Sequence, residues 1–167
     1  SIRKQILLES IFLTHIHQDH FKGVELLSRK VRAPVITHSS LHLGRRVKKN
    51  LYRQIGIEPG QTFTKDGFSF SAFSTFHDAE YSISYHFSIG PVTFTLITDT
   101  GCLSRQMYDL ACASDVLFLE ANYDETMLRE GLYHPDLKNR ILSSTGHLSN
   151  KDALFFLNQV DENPLSR

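Results

Sequence analysis

One segment constrains this chain more than any other: an H-x-H-x-D-H pattern at positions 15–20. It follows Ile11–Thr14, a short apolar run that predicts a buried strand, and it leads into a predicted helix. Divalent metals such as zinc and manganese accept imidazole nitrogen and carboxylate oxygen as ligands. A strand that ends abruptly can direct two histidines at one ion, and the following turn can direct an aspartate and a histidine at a second. The predicted ligands are His15, His17, Asp19 and His20.

Two further candidate ligands stand where later predicted strands end. His77 follows the strand predicted from Phe68 to Phe76, and Asp99 follows the strand that begins at Val92. Side chains at the same edge of neighbouring strands converge, and a carboxylate can bridge two metals about 3.5–4 Å apart. Alternatively, His77 is a loop histidine and Asp99 a turn residue. Given the first motif, we interpret both as metal ligands. Side chains outside the ligand set should fix the orientation of the imidazoles, and the candidates are Asp78, Glu120 and Thr14.

His147 is a candidate catalytic residue. It lies in Thr145–Ser149, just before a predicted helix that Ser149 and Asp152 would cap. Helix N-termini attract anions, so a histidine there could hold a phosphate or protonate a leaving oxygen. The alternative is an ordinary loop histidine near the cap.

The remaining histidines are assigned no metal. His86 lies on the serine face of the alternating strand predicted over 81–89, which favours a solvated or hydrogen-bonded role. His38 and His42 flank the start of a predicted helix, and we expect both at the surface. His134 precedes Pro135 in a loop and is given no role.

Strands and helices mix along the chain, which predicts an α/β layered fold. The spacing of Leu43, Val47 and Leu51 predicts an amphipathic helix over 40–55. Further predictions are a strand at Pro34–Thr37, a helix over 103–112, a buried strand at Val116–Leu119, and a helix after Ser149 with a stripe of Ala153, Phe156, Leu157 and Val160. No repeat or linker divides the chain, so we expect one domain over 1–167.

Charge and cysteine content narrow the functional classes. Eighteen basic and eighteen acidic residues cancel, so any nucleic-acid binding must come from a local patch. Arg45, Arg46, Lys48, Lys49 and Arg53 form one basic stretch, which either follows a nucleic-acid backbone or is a solvated helix face. Two cysteines outside any CxxC pair indicate reduced thiols rather than a thiolate metal site. No apolar run is long enough to span a membrane, and no signal peptide is evident.

The chain resembles the metallo-β-lactamase superfamily. Positions 15–20, His77 and Asp99 are similar to the successive metal motifs of that superfamily. Other segments resemble its YycJ (WalJ) exonuclease branch: Phe76–Ala79, Ile97–Gly101, Leu119–Asp124, Leu137–Leu142 and Gly146–Asn150. The matching segments run from about Ile11 to Val160.

The resemblance implies an αββα sandwich with two zinc or manganese ions at one edge of the paired sheets. It implies that His15, His17 and His77 hold one metal, that Asp19 and His20 hold the other, and that Asp99 bridges them. A metal-bridging hydroxide would then hydrolyse phosphodiester bonds, with Asp19 orienting the nucleophile and His147 facing the scissile phosphate. The implied protein is a bacterial, cytoplasmic DNA exonuclease that does not bind membranes.

The family also has a Gly-Ser-Ser-Gly-Asn stretch before the first motif and a C-terminal histidine that completes the second site. Neither occurs in these 167 residues, so we expect a piece of a longer protein with an incomplete sandwich. Two rival functions remain open. The first is a thioester or other ester hydrolase on the same scaffold. The second is a non-catalytic metal-binding domain.

Overall fold

The computed structural model describes residues 7–162. The chain divides into two compact units, Ser1–Pro59 with Ala79–Ile83, and Gly60–Asp78 with Ser84–Arg167. Each unit has its own sheet and its own apolar core. Within residues 7–162, no helix combines the length and the hydropathy needed to cross a bilayer.

The first unit is built on a parallel sheet of three strands in the order β1-β2-β3. Its elements are β1 (Ile11–Phe12), α1 (Gln18–Phe21), α2 (Val24–Val31), β2 (Val35–His38), α3 (Arg45–Asn50) and β3 (Gln54–Ile57). Because the strands are parallel, helices α1 and α2 must return the chain from the end of β1 to the start of β2, and α3 must do the same before β3.

The core of the first unit explains these elements. Leu13, Val24 and Val35 are buried together with Leu41, Leu43 and Leu51. Burial of one such aliphatic side chain contributes about 1.5–3 kcal/mol, so the core outweighs the poor helix-forming tendency of these short segments.

The second unit carries a sheet in the order β4-β5-β6-β7-β8. Its elements are β4 (Thr62–Lys65), β5 (Phe68–Ser74), β6 (Ile83–Ile89, whose first residue belongs to the first unit), β7 (Val92–Ile97), α4 (Arg105–Cys112), β8 (Val116–Leu119), α5 (Glu125–Glu130), α6 (Pro135–Leu142) and α7 (Asn150–Asp161). β4 with β5 and β6 with β7 are antiparallel, whereas β8 is parallel to β7.

Helices α4 and α7 pack on this sheet through Met107, Ala111 and Phe156, which share a core with Phe73 and Ile97. Ser149 caps α7, since its hydroxyl accepts a hydrogen bond from the Asp152 backbone N–H at 3.0 Å. The predicted cap is confirmed. In the predicted stripe, however, Leu157 remains 42% exposed.

Several sequence-based predictions were wrong in detail. The helix predicted over 40–55 spans only Arg45–Asn50, and the chain then turns into strand β3. The single helix predicted after the 15–20 segment is two helices in the structure, α1 and α2, and α1 already begins within that segment, at Gln18. Strand β8 is not buried, because Val116 and Phe118 are about half exposed.

The serine face of β6 was also misread. Ser84 is fully buried, and its hydroxyl donates a hydrogen bond to the Leu96 carbonyl at 2.5 Å. A serine can be buried when a backbone acceptor satisfies its hydroxyl. Strands β4 and β3 and helices α5 and α6 have no counterpart in the sequence-based prediction.

Candidate metal centre

The first unit gathers the histidines of the 15–20 segment just beyond the end of β1. His17 adopts an extended conformation directly before α1, and that helix carries Asp19 and His20. The ring centroids of His15 and His17 are 4.7 Å apart, and those of His15 and His20 are 4.2 Å apart. The predicted clustering of these three imidazoles is therefore present within the first unit.

His15 is the buried member of this cluster. The side chain is fully buried, and its Nδ1 lies 3.0 Å from the Thr14 hydroxyl oxygen. When Nδ1 carries the proton and donates to that oxygen, Nε2 presents its lone pair, which is the tautomer that a metal ligand requires. Thr14 was one of the residues predicted from the sequence to orient an imidazole, and this contact agrees with that role.

Asp19 is an exposed carboxylate on α1. Burial tends to raise the pKa of Asp19, but a hydrogen bond with its own backbone N–H and the neighbouring His20, His15 and His17 outweigh that tendency, so the pKa is lowered. Its carboxylate lies 3.6 Å from His20 Nε2. Asp19 is thus ionised at neutral pH, as a metal ligand or a water-orienting group must be.

The second unit brings together His77, Asp99 and His147. One possible ligand atom from each lies within 4.8 Å of the others. His77 follows β5 and Asp99 follows β7, as predicted from the strand ends. Imidazole nitrogens and a carboxylate are donors that suit zinc and manganese, so the residues present fit a divalent ion.

The backbone at Asp99 adopts a left-handed conformation, with φ of 53°. Aspartate is one of the few residues with a side chain that tolerates this region. The next residue, Thr100, is buried, and its hydroxyl donates to the Cys102 carbonyl at 2.6 Å. The turn that carries Asp99 is therefore fixed by its own hydrogen bonds.

Glu120 connects this turn to His147. One carboxylate oxygen lies 2.5 Å from His147 Nδ1, and the other accepts hydrogen bonds from the backbone N–H of Thr100 at 2.9 Å and of Leu148 at 3.4 Å. The hydrogen bond to Glu120 raises the pKa of His147, and its charge and that of Asp99 act in the same direction against the effect of burial. Glu120 was named from the sequence only as a candidate orienting group.

Gly146 holds His77 through its main chain, a contact that was not predicted from the sequence. The Gly146 carbonyl oxygen accepts a hydrogen bond from His77 Nδ1 at 3.0 Å, which leaves Nε2 as the nitrogen with the lone pair. A methyl group on Gly146 would lie 2.2 Å from the Arg140 carbonyl oxygen. Only glycine permits this close approach.

Gly101 shows the same requirement beside Asp99, because an added Cβ would lie 2.5 Å from the Ser143 carbonyl oxygen. The end of α6 thus packs tightly against two of the loops that carry candidate ligands. The glycines of the Ile97–Gly101 and Gly146–Asn150 segments were the available signal.

Asp78 was predicted to orient an imidazole, but its main partner is Arg140. The guanidinium donates two hydrogen bonds to the Asp78 carboxylate, one through Nε and one through Nη2 at 3.0 Å. Asp78 Oδ1 is 3.6 Å from His77 Nε2, too far for a hydrogen bond. Asp78 therefore ties the His77 loop to α6.

The other histidines have local roles. His86 is half buried and lies 2.8 Å from the Thr95 hydroxyl, which agrees with the predicted hydrogen-bonded role. His42 is exposed, as expected, while His38 is half buried and accepts a hydrogen bond from the Ser40 N–H. His134 is the N-cap of α6. Neither cysteine forms a disulfide, and burial raises the pKa of the Cys102 thiol.

Sequence comparison places these observations in a family. The sequence model of the Beta-lactamase superfamily domain matches residues 4–165. Exodeoxyribonuclease WalJ of Streptococcus pneumoniae is 36% identical over 159 residues, which cover 90% of this chain and 58% of that protein. Exodeoxyribonuclease YycJ of Bacillus anthracis is 32% identical over 158 residues, which cover 92% and 59%. The chain thus spans somewhat less than three fifths of the curated relatives it matches.

A solved structure, Zn²⁺-bound PqqB from Methylobacterium extorquens, matches with a TM-score of 0.65 at 15% identity, over 95% of this chain and 71% of that one. At this identity the likeness concerns the fold alone. It confirms the predicted fold class: the chain has the α/β metallo-β-lactamase fold with two sheets. The chain belongs to the metallo-β-lactamase superfamily and is homologous to the WalJ and YycJ exodeoxyribonucleases.

Proposed function

We propose that this chain is the metal-binding part of a phosphodiesterase that degrades DNA as an exonuclease. The observation that carries the proposal is the arrangement of His77, Asp99 and His147, whose candidate ligand atoms lie within 4.8 Å of one another. The names of the two exodeoxyribonuclease relatives support DNA as the substrate. The bacterial sources of these relatives support a bacterial origin, and two cysteines outside any disulfide support a cytoplasmic location.

We further propose that the chain holds two divalent ions, zinc or manganese. The proposed ligands are His15, His17, Asp19, His20, His77 and Asp99. Bound ions of this kind lower the pKa of a water molecule and neutralise charge on phosphate oxygens. The preset tautomer of His77, held by the Gly146 carbonyl, and the contact between Thr14 and His15 supply the oriented imidazoles that such binding needs.

His147 and Asp19 are the proposed catalytic residues. Because Glu120 raises the pKa of His147, this imidazole keeps its proton to a higher pH than an ordinary histidine and can give it to the leaving oxygen as the P–O bond breaks. Asp19 stays ionised and can accept a hydrogen bond from the attacking water. Glu120 is a positioning residue, since it acts through His147.

The proposal is tested with the metal-loaded 167-residue chain and three substrates: an end-labelled DNA oligonucleotide, bis-p-nitrophenyl phosphate and a p-nitrophenyl thioester. We expect cleavage of the first two, loss of cleavage after chelation, and loss of metal and activity in His77→Gln. The matched control is His134→Asn, which changes an exposed histidine of the same unit and keeps an N-cap residue.

Each rival function predicts a different result in this experiment. Cleavage of the thioester alone would establish the ester-hydrolase alternative. Stoichiometric metal binding without cleavage of any ester would establish a non-catalytic metal-binding domain. In either case the phosphodiesterase proposal fails.

A further inference from the structure

The zero net charge of the chain hides a strong separation of charge between its two units. The residues of the first unit include eleven Lys and Arg against five Asp and Glu, a net charge of +6. Those of the second unit include seven against thirteen, a net charge of −6. A basic half in an otherwise neutral chain is typical of proteins that bind a polyanion.

The described positive charges of the first unit lie on α2 and α3 and in the turns next to them. We call the described members of this set the basic band. Its members are Lys22, Arg29, Lys30, Arg32, Lys48, Lys49 and Arg53, and all of them are exposed. The side chains of Arg45 and Arg46 lie outside the described part of the chain.

Helices α2 and α3 lie side by side, which makes the band continuous. Asn50 donates a hydrogen bond to the Glu25 carboxylate at 3.0 Å, and the Tyr52 N–H donates to the Ser28 hydroxyl at 3.1 Å. The carboxylate of Glu25, on α2, is thus hydrogen-bonded to the side-chain amide of Asn50. Among the described residues, no ion pair or side-chain hydrogen bond joins a member of the basic band to another residue.

The band also has a direction. Lys22 stands two residues after His20, at the end of the sheet where the 15–20 segment lies. Because α2 runs back along the parallel strands, Arg32 lies at the opposite end, before β2, and Arg53 lies beside it, before β3. The eight residues of α2 span about 12 Å, which matches roughly three to four phosphates of one B-form strand.

We propose that the basic band binds the phosphate backbone of the DNA strand and leads it away from the 15–20 segment. The identity of the polyanion as DNA rests on the proposed function, whereas the position of the binding surface rests on the charges and packing of the first unit. Such binding is electrostatic and independent of base sequence, since nothing in the band reads base edges.

The test is the salt dependence of DNA binding. A fluorescent single-stranded oligonucleotide is titrated with the 167-residue chain in EDTA, so that no cleavage interferes. The variant Lys48→Gln/Lys49→Gln removes two charges from the band. Its matched control, Lys65→Gln/Lys151→Gln, removes two charges from exposed lysines of the second unit.

If both lysines contact phosphates, the slope of log affinity against log salt becomes shallower by about 1.4, and affinity at 0.1 M salt falls about 25-fold. The control should bind as the unchanged chain does, and Lys48→Arg/Lys49→Arg should retain the original slope. Equal slopes for the band variant and its control would overturn the inference. Binding to phosphatidylserine vesicles through the band, without binding to DNA, would also overturn it.

Hydrolysis of bis-p-nitrophenyl phosphate separates this inference from the proposed function, because that small substrate does not extend along the band. If the small substrate is cleaved but DNA binding is the same in Lys48→Gln/Lys49→Gln as in the unchanged chain, only the inference fails. If DNA binding depends on the band but no phosphodiester is cleaved, only the proposed function fails. Circular dichroism of each variant verifies that it is folded.

Discussion

The contact of Gly146 with the end of α6 allows a prediction that depends on packing alone. In Gly146→Ala, the new methyl group would lie 2.2 Å from the Arg140 carbonyl oxygen and 2.3 Å from the Ile141 carbonyl oxygen. Ordinary contacts of this kind begin at 3.4 Å, so the backbone must move by about 1 Å. Overpacking typically costs 1–3 kcal/mol, and because both obstacles are backbone atoms we expect a loss of about 3 kcal/mol in the free energy of unfolding.

The same movement should disturb His77, whose Nδ1 donates to the Gly146 carbonyl. Urea unfolding in EDTA measures the loss of stability, and ¹⁵N NMR of the histidine ring nitrogens reports the tautomer of His77. Gly23→Ala is the control, since nothing lies within 4 Å of its added methyl group and its φ is −96°. We expect it to change stability by less than about 0.5 kcal/mol.

If Gly146→Ala proves as stable as Gly23→Ala and the ring signals of His77 do not move, then the end of α6 does not constrain this loop. The account of how His77 is oriented would then be refuted.

Three further variants test other contacts. Burial lowers the pKa of His86 in the folded chain, so the unfolded chain takes up a proton first as the pH falls through 6.5, and stability is lost. His86→Gln removes this contribution and should lose less stability over that range than the unchanged chain. Urea unfolding between pH 7.5 and 5.5 measures the difference. In Glu120→Gln, the pKa of His147 should fall in an NMR titration of the metal-free chain, and stability should fall by about 1.5–3 kcal/mol, since a charged acceptor of hydrogen bonds is lost; an unmoved pKa contradicts the assigned contact. In EDTA, Asp99→Ala should be about 1 kcal/mol less stable than Asp99→Asn, because alanine disfavours φ of 53°, and equal unfolding midpoints would argue against this backbone conformation.

The sequence predicted the fold class and the positions of two candidate ligands after strands better than it predicted the bounds of the helices and strands. The ends of strands could be read from apolar runs, and so His77 and Asp99 were located correctly after β5 and β7. Metal ligands are specific residue types in a fixed order along the chain, and a single sequence displays both. That all six ligands act together stays a prediction.

Contacts made by the main chain could not be predicted in this way. The Gly146 carbonyl that accepts the hydrogen bond from His77 is a main-chain group that every residue has, so the type of residue does not predict this contact. The pairing of Asp78 with Arg140 joins positions 62 residues apart, a separation at which no local pattern operates.

The errors in predicting helices and strands also have physical causes. The four-residue spacing of Leu43, Val47 and Leu51 fits a helix, but the backbone at Leu51 is already extended and continues into β3. The apolar run Val116–Leu119 predicted burial on both faces, whereas β8 lies at the end of the described sheet and leaves Phe118 half exposed. Periodicity shows which face is apolar but not whether a neighbour covers it.

The separation of charge between the units has a practical consequence for handling the protein. The sequence pI of about 7.1 suggests a protein that ion-exchange resins do not retain at neutral pH. With +6 on one unit and −6 on the other, the chain should instead be retained by both cation and anion exchangers in low salt. Each resin would bind a different unit. Replacing Lys48 and Lys49 with glutamine should therefore make the protein elute from the cation exchanger at lower salt. Its retention on the anion exchanger should be at least as strong as that of the unchanged chain.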